Sequence, residues 1–216
     1  IKENHYENFV DLVQYDVPIT AQILNRYKNF NERVSRNLKI KTVEFTSTKS
    51  VKPYVKPVFD LINKTYTEIY GFTKLTEDEM TEFAERFLPL LNPKLIKMIT
   101  DENGELLAFV IAMADLSEAI KNSRGRILPF GWARIFWAMK TSKRLQLLLG
   151  AIHPKYQNKG LDAVLATMLF GSALKLGFKT VDSHLIMKDN LKMRGEIEKL
   201  DGFNLYKEYC IFRKRL

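Results

Sequence analysis

Gln157-Asn158-Lys159-Gly160 sets a glycine between an apolar run at 145–152 and an amphipathic stretch that begins at Leu161, with Lys155 and Lys159 alongside. A strand that passes through a short glycine loop into a helix leaves the first N–H groups of the helix unpaired. The positive end of the helix dipole lies behind them, and such a terminus receives phosphate. Gly160 lets the backbone approach an anion closely, and the two lysines add charge beside it. The chemistry predicted at this corner is the grip of a phosphate-bearing ligand. Groups that could move a proton sit elsewhere, at or near element ends: Glu68, Asp115, Asp182 and His184, with Tyr206, Tyr209 and Cys210 on the last strand. Asp182 and His184 fall on one face of a strand, where a carboxylate can tune an imidazole, although a lone strand histidine is more often packed than catalytic. For Glu68 and Asp115 the plainer reading is solvated charge; for Tyr206, Tyr209 and Cys210 it is packing, with strand alternation letting one parity face a site.

Periodicity supplies the elements that would hold these groups. Residues 40–45 alternate as a strand does, and from Pro57 the apolar positions Val58, Leu61, Ile62 and Ile69 follow helical spacing until Gly71. Thr76 and Glu79 make a capping box for a second helix that ends at Asn92-Pro93. Residues 95–100 and 105–113 flank Asp101-Glu102-Asn103-Gly104, where Asn-Gly supplies the positive φ angles of a tight hairpin. The nearly continuous apolar run at 145–152 predicts a strand covered on both faces, in the middle of a sheet. A helix from Leu161 to Gly177, a strand at 181–187, a short helix at 191–200 and a strand at 203–213 follow. Residues 1–38 are polar and irregular, with an apolar cluster at Phe9, Val10, Leu12 and Val13 and a short helix at 18–27. They read as an N-terminal extension, the tail of an upstream domain, ahead of one domain at 39–216.

His153-Pro154-Lys155-Tyr156 followed by Gln157-Asn158-Lys159-Gly160 resembles the GNAT superfamily of N-acetyltransferases, whose signature is a strand ending near proline and then Gln/Arg-x-x-Gly-x-Gly/Ala opening a helix. Asn190, Met193, Gly202 and Phe203 resemble its second pattern, and the element order agrees from about Ile40 to Arg213. The resemblance is to the C-terminal acyl-CoA-binding domain of a longer bacterial member. It implies an α/β (α+β) fold: a mixed, mostly antiparallel twisted sheet with helices on both faces and a splayed central strand pair, 145–152 and 181–187. It implies acetyl-CoA or another acyl-CoA as co-substrate. Gln157, Asn158, Lys159, Gly160, Leu161, Asp162 and Ala163 would hold the pyrophosphate, with Asn190 opening the later helix. Leu149, Gly150, Ala151 and Ile152 would meet the pantetheine arm, with a backbone N–H near Ala151 or Ile152 polarising the acyl carbonyl. The activity implied is transfer of the acyl group to a primary amine by direct attack, with Glu68, Asp115, His184 and Tyr206 as the catalytic candidates. Two positions depart from the pattern: Asp162 stands where glycine or alanine is usual, and Ile197 where many members carry a tyrosine that protonates the leaving thiolate. They motivate the alternative of a catalytically inactive module used in binding or dimerisation with an upstream domain.

Composition bounds the rest. In 216 residues, 34 Lys+Arg against 25 Asp+Glu give a net charge of +9, which draws polyanions without choosing among them. The basic residues are scattered and no nucleic-acid motif is present, so a nucleic-acid partner ranks last. The lone Cys210 and the absence of Cys/His ligand spacing point to a reducing, cytoplasmic setting and to no metal. No apolar run is long enough to cross a bilayer, and a chain that starts at Ile1 reads as part of a longer polypeptide. The insert at 127–139 carries both tryptophans. Phe130, Trp132 and Phe136 are its candidates for a substrate pocket that receives a small-molecule or peptide amine. The same insert, 127–143, with Arg126, Arg134, Lys140 and Lys143, also suits a membrane surface or an upstream domain, and a homodimer is a further partner expected of the chain.

Overall fold

The computed structural model describes residues 6–123 and 131–214, with the side chains of Gly131 and Trp132 left out. In chain order the elements are β1 (Glu7–Pro18), α1 (Ala21–Asn37), β2 (Lys41–Glu44), α2 (Thr48–Val51), α3 (Val55–Thr65), α4 (Glu77–Phe87), β3 (Ile96–Thr100), β4 (Leu106–Ala114), α5 (Ser117–Asn122), α6 (Gly131–Thr141), β5 (Arg144–Ile152), α7 (Leu161–Lys175), β6 (Thr180–Asp182), β7 (Ile186–Met187), α8 (Leu191–Ile197) and β8 (Asn204–Arg213). The strands form one mixed sheet in the order β2-β3-β4-β5-β6-β1-β7, with β8 also paired to β1. Every pairing is antiparallel except β5 with β6. Helices cover both faces, as expected. On one face α2, α3 and α4 bury Val51, Val58, Phe59, Ile62 and Met80 against Met98, Phe109 and Ile111 of the sheet. On the other, Leu161, Val164, Leu165 and Leu169 of α7 and Ile23 and Val34 of α1 close over Ile99, Ala108, Ala112 and Leu145. Among the described residues no helix is long and apolar enough to cross a membrane.

The N-terminal residues differ most from expectation. Where an irregular stretch was expected, Val13, Tyr15 and Val17 are buried with period two, and β1 takes a place inside the sheet, flanked by β6 and β7 on one side and β8 on the other. The short helix at 18–27 is instead a 17-residue α1, capped by Thr20, whose Ile23, Tyr27, Phe30 and Val34 lie against α7 and its surroundings. The expected hairpin is present as β3-β4, but Gly104 alone in the turn has a positive φ. The Asp101 carboxylate fixes the rest by accepting the N–H groups of Asn103 and Glu105.

Two irregularities shape what lies between the central strands. In the β4-β5 ladder Ile111 pairs with Leu149 but Ala112 with Leu147, so Leu148 is an extra, bulged residue. A bulge shifts the side-chain alternation by one: Leu145 and Leu147 pack on the α7 face, whereas Leu149 and Ala151 pack on the α3 face. The second irregularity interrupts the strand expected at 181–187, which divides into β6 and β7 at Ser183-His184-Leu185, with His184 at φ 60°.

Candidate active site

β5 and β6 pair only through Arg144, Leu145 and Gln146 with Thr180, Val181 and Asp182. Beyond Gln146 the strands part: β7 bonds to β1, and β5 continues to Ile152 with an open edge. Antiparallel pairing alternates the direction in which successive backbone groups point. The His153 N–H donates to the Leu107 carbonyl of the β4 side, which turns Leu149 and Ala151 toward β4 and Gly150 toward the open edge. The four strand residues expected to meet a pantetheine arm therefore divide, with the backbone of Leu149 and Ala151 engaged by β4 and that of Gly150 and Ile152 turned to the slot.

Gly150 is already occupied. The Tyr66 hydroxyl donates to its carbonyl at 2.9 Å and accepts its N–H at 3.2 Å. Burial pushes the phenol above its ordinary pKa, a shift only partly offset by the hydrogen bond to Gly150. Farther along the same loop the Tyr70 ring meets Phe9 of β1 edge-on, with centroids 5.3 Å apart. The loop after α3 thus spans the parted strands, anchored on β5 at one end and on β1 at the other. No periodicity pointed to Tyr66, because a tyrosine at a helix end has no spacing that would mark it.

At the C-terminal end of β5 the expected corner is in place. Asn158 and Gly160 adopt left-handed conformations, φ 59° and 87°, and α7 starts with no side-chain cap. The first helical bond is Val164 N–H to the Gly160 carbonyl, and the N–H groups of residues 158–163 have no acceptor among the described residues. Lys155 and Lys159 are exposed beside them. The Asp162 carboxylate makes no hydrogen bond to these groups. Gly160 has a packing role as well, since a Cβ there would come within 2.8 Å of Phe30 and 3.0 Å of Val34. Gln157 reaches back to the Ile152 carbonyl at 3.4 Å. Asn190 caps α8 by accepting the Met193 N–H, an ordinary structural duty. Ile197 is a core residue of α8, packed with Tyr15, Val17 and Phe178.

At the other end of the parting lies a cavity of about 1300 Å³, and the last paired residues, Gln146 and Asp182, both line it. Asp115, His184 and Tyr206 line it too, so three of the four catalytic candidates share one space. Glu68 sits outside it on an exposed turn after α3. The centre of the wall is Asp182, buried and fully engaged. It accepts Gln14 Nε2 at 2.6 Å, the His184 N–H at 2.8 Å and the Tyr206 hydroxyl at 2.5 Å, and it pairs with Arg144 at 3.1 Å. Asp182 and His184 thus meet through backbone rather than through the ring, because the kink at 183–185 removes the same-face relation expected of an unbroken strand. The His184 ring is exposed and has no hydrogen-bond partner among the described residues. One Asp115 oxygen accepts the Ser117 N–H at the start of α5. Burial and the hydrogen bond to Asp182 push the Tyr206 phenol far above its ordinary pKa against the opposing charge of Arg144, which keeps it a donor. Strand alternation would have kept Tyr206 and Tyr209 on opposite faces. The register of β8 on β1 skips Tyr206, however, and this bulge lets both tyrosines face the cavity. Cys210 is half-buried and lies outside it.

The insert contributes differently from what was expected. Phe130 lies outside the described residues, Trp132 is in α6 without a described side chain, and Phe136 is turned away to a smaller cavity with Leu90 and Leu176. Arg134, Trp137, Ala138 and Thr141 of α6 line the large cavity instead.

A mixed sheet that parts in the middle, with a helix N-terminus at one end of the gap and a cavity at the other, is the fold of the GNAT N-acetyltransferases. A GCN5-related N-acetyltransferase from Sphaerobacter thermophilus superposes with TM-score 0.58 over 99% of this chain and 54% of its own, at 10% identity. A tandem GNAT protein from the clavulanic acid biosynthesis pathway gives 0.58 over 96% and 54%, at 12% identity. In sequence, 168 residues are 25% identical to the bacterial ceramide synthase of Caulobacter vibrioides, covering 75% of this chain and 43% of that protein. The chain thus spans under half the length of this relative. No family model matches the sequence.

Proposed function

We propose that the chain is an acyl-CoA-dependent N-acyltransferase that passes an acetyl or longer acyl group to a primary amine by direct attack. The observation that carries this reading is the parting of β5 from β6 at Gln146. It leaves the edge of β5 unpaired by any strand beyond Gln146, with a corner of unpaired amides at one end and an open cavity at the other. The diphosphate would rest on the amides of residues 158–163, near Lys155 and Lys159, and the pantetheine arm would take over the Gly150 N–H and carbonyl from Tyr66. The thioester then falls near the Leu148 bulge, where a backbone N–H on the open edge stabilises charge growing on the acyl oxygen. The amine would enter through the large cavity.

His184 is the group best suited to take the amine proton: its imidazole faces the cavity unengaged, whereas Asp182 is saturated and Asp115 already caps a turn. The N–C bond forms as the C–S bond breaks, and the proton leaving nitrogen ends on the thiolate sulfur. Tyr206 stays protonated and, through Asp182, holds Arg144 and the cavity wall in place. The likeness to a protein named ceramide synthase favours an amine borne on a long hydrocarbon chain. A tandem neighbour and the partial coverage of longer proteins favour a second domain beside this one in the whole polypeptide. Incubation with acyl-CoA and a panel of short and long-chain primary amines, with free thiol measured, tests the assignment. Saturable thiol release that His184→Ala lowers at least tenfold is the expected result, and no release with any amine overturns it. Ile197, buried where a tyrosine could have served as acid, favours a second reading, a binding module that retains the fold without turnover. That reading predicts CoA binding with no thiol release.

A further inference from the structure

Helix α6 presents to solvent two large aromatic side chains that the rest of the domain leaves uncovered: Phe136 is 55% exposed and Trp137 69%. Leu176 and Leu90, also exposed, share a shallow cavity with Phe136 and continue the apolar patch. Cations surround it. Lys140 Nζ stands 4.6 Å over the Phe136 ring, and Lys143 reaches the Gly177 turn beside Leu176. Lys179 follows Lys143 across a backbone hydrogen bond, and Arg134 lies one turn back on α6. Lys140, Lys143, Lys179 and Arg134 form no ion pair among the described residues, so their charge is available to an anionic partner. An anionic lipid surface supplies negative charge at that density, together with an apolar layer at the depth of a tryptophan ring.

We infer that this face, Phe136, Trp137 and the lysines around them, docks on an anionic phospholipid bilayer. Trp137 and Arg134 also line the large cavity, so its mouth lies next to the docked face. The inference extends the acyl-transfer reading to where the amine is collected: an amine with a hydrocarbon tail would pass from the bilayer to the cavity without crossing water. Membrane binding itself does not depend on that reading.

The test is co-sedimentation of the full chain with vesicles of phosphatidylcholine alone or mixed with phosphatidylglycerol, read also by tryptophan emission. Binding to the mixed vesicles, a blue shift and weakening by salt are expected, with little binding to phosphatidylcholine alone. Phe136→Ser with Trp137→Ser should abolish binding, and Lys140→Gln with Lys143→Gln should weaken it roughly thirtyfold, from the usual contribution of a surface lysine at an anionic bilayer. All four sites are on the surface, and circular dichroism and CoA titration of each variant report that it is folded. Absence of binding to the mixed vesicles, or binding that the Phe136/Trp137 variant retains, overturns the inference. So does a vesicle-free dimer, seen by sedimentation velocity, that the same variant dissociates. Vesicle binding with no CoA binding would leave the docking surface standing and remove the acyl-transfer reading.

Discussion

If the pantetheine arm occupies the open edge of β5, Tyr66 must give up Gly150 before it binds, and Tyr66→Phe removes that competition. In the free protein the hydroxyl makes two hydrogen bonds to Gly150, one at 2.9 Å and a longer one at 3.2 Å. Such bonds contribute about 0.5–1.5 kcal/mol each when both partners would otherwise be hydrated. The Gly150 edge is reachable by water once the hydroxyl is gone, so the pair together is taken as about 1 kcal/mol. The variant should therefore lose about 1 kcal/mol of stability in urea and bind CoA about fivefold more tightly by isothermal titration, since the ligand no longer displaces a protein group. The opposite signs of the two effects make the test sharp. Lower stability with unchanged affinity would mean that the arm does not use Gly150. Weaker affinity would mean that Tyr66 contacts the ligand itself, and either result refutes the reasoning.

Asp182→Asn removes the charge that Arg144 and Tyr206 share and leaves Arg144 only Asp16, at 3.2 Å, so it should cost about 2 kcal/mol in urea unfolding, while Tyr206→Phe should cost about 1 kcal/mol. Gly160→Ala combines a left-handed residue with a Cβ against Phe30; it should destabilise by about 3 kcal/mol, and a double-mutant cycle with Phe30→Ala should show about 1–2 kcal/mol of favourable coupling. Burial and the ammonium groups of Lys64 and Lys155 hold His153 below its ordinary pKa of 6.5. The unfolded chain then takes up this proton first as pH falls, so stability is full above 6.5 and declines through the window between the unfolded and the lowered folded value. His153→Gln should flatten the decline in a pH series of urea midpoints, and a histidine titration by NMR should place His153 below 6.5.

The parts of this fold legible in the sequence were those whose residues obey a single local rule. The capping box at Thr76 and Glu79, the Gly104 turn, the apolar run that became the largely half-buried β5 and the glycine that opens α7 all follow from nearest-neighbour chemistry. β1 escaped although Val13, Tyr15 and Val17 alternate, because Leu12 next to Val13 blurs the period and Pro18 suggests a turn. The stripe Ile23, Tyr27, Phe30, Val34 in α1 likewise carried a helical signal diluted by the polar residues between. What no local rule could reveal were the bulges. The extra residues Leu148 and Tyr206 exist only relative to the partner strand, yet one changes the face of β5 and the other aims a tyrosine at Asp182. For the same reason the candidates Asp115, His184 and Tyr206 could be named from residue type, but their meeting in one cavity, and the exclusion of Glu68 from it, depended on the tertiary fold.

Amide NMR of the full chain, titrated with a non-reactive CoA thioether, shows whether a CoA thioester spans from the α7 corner to the parting of β5. A thioester in that place gives saturable shifts and slowed exchange at residues 158–163, together with a changed Gly150 signal as Tyr66 lets go. Shifts confined to other surfaces, or none at concentrations where CoA enzymes saturate, would contradict that placement.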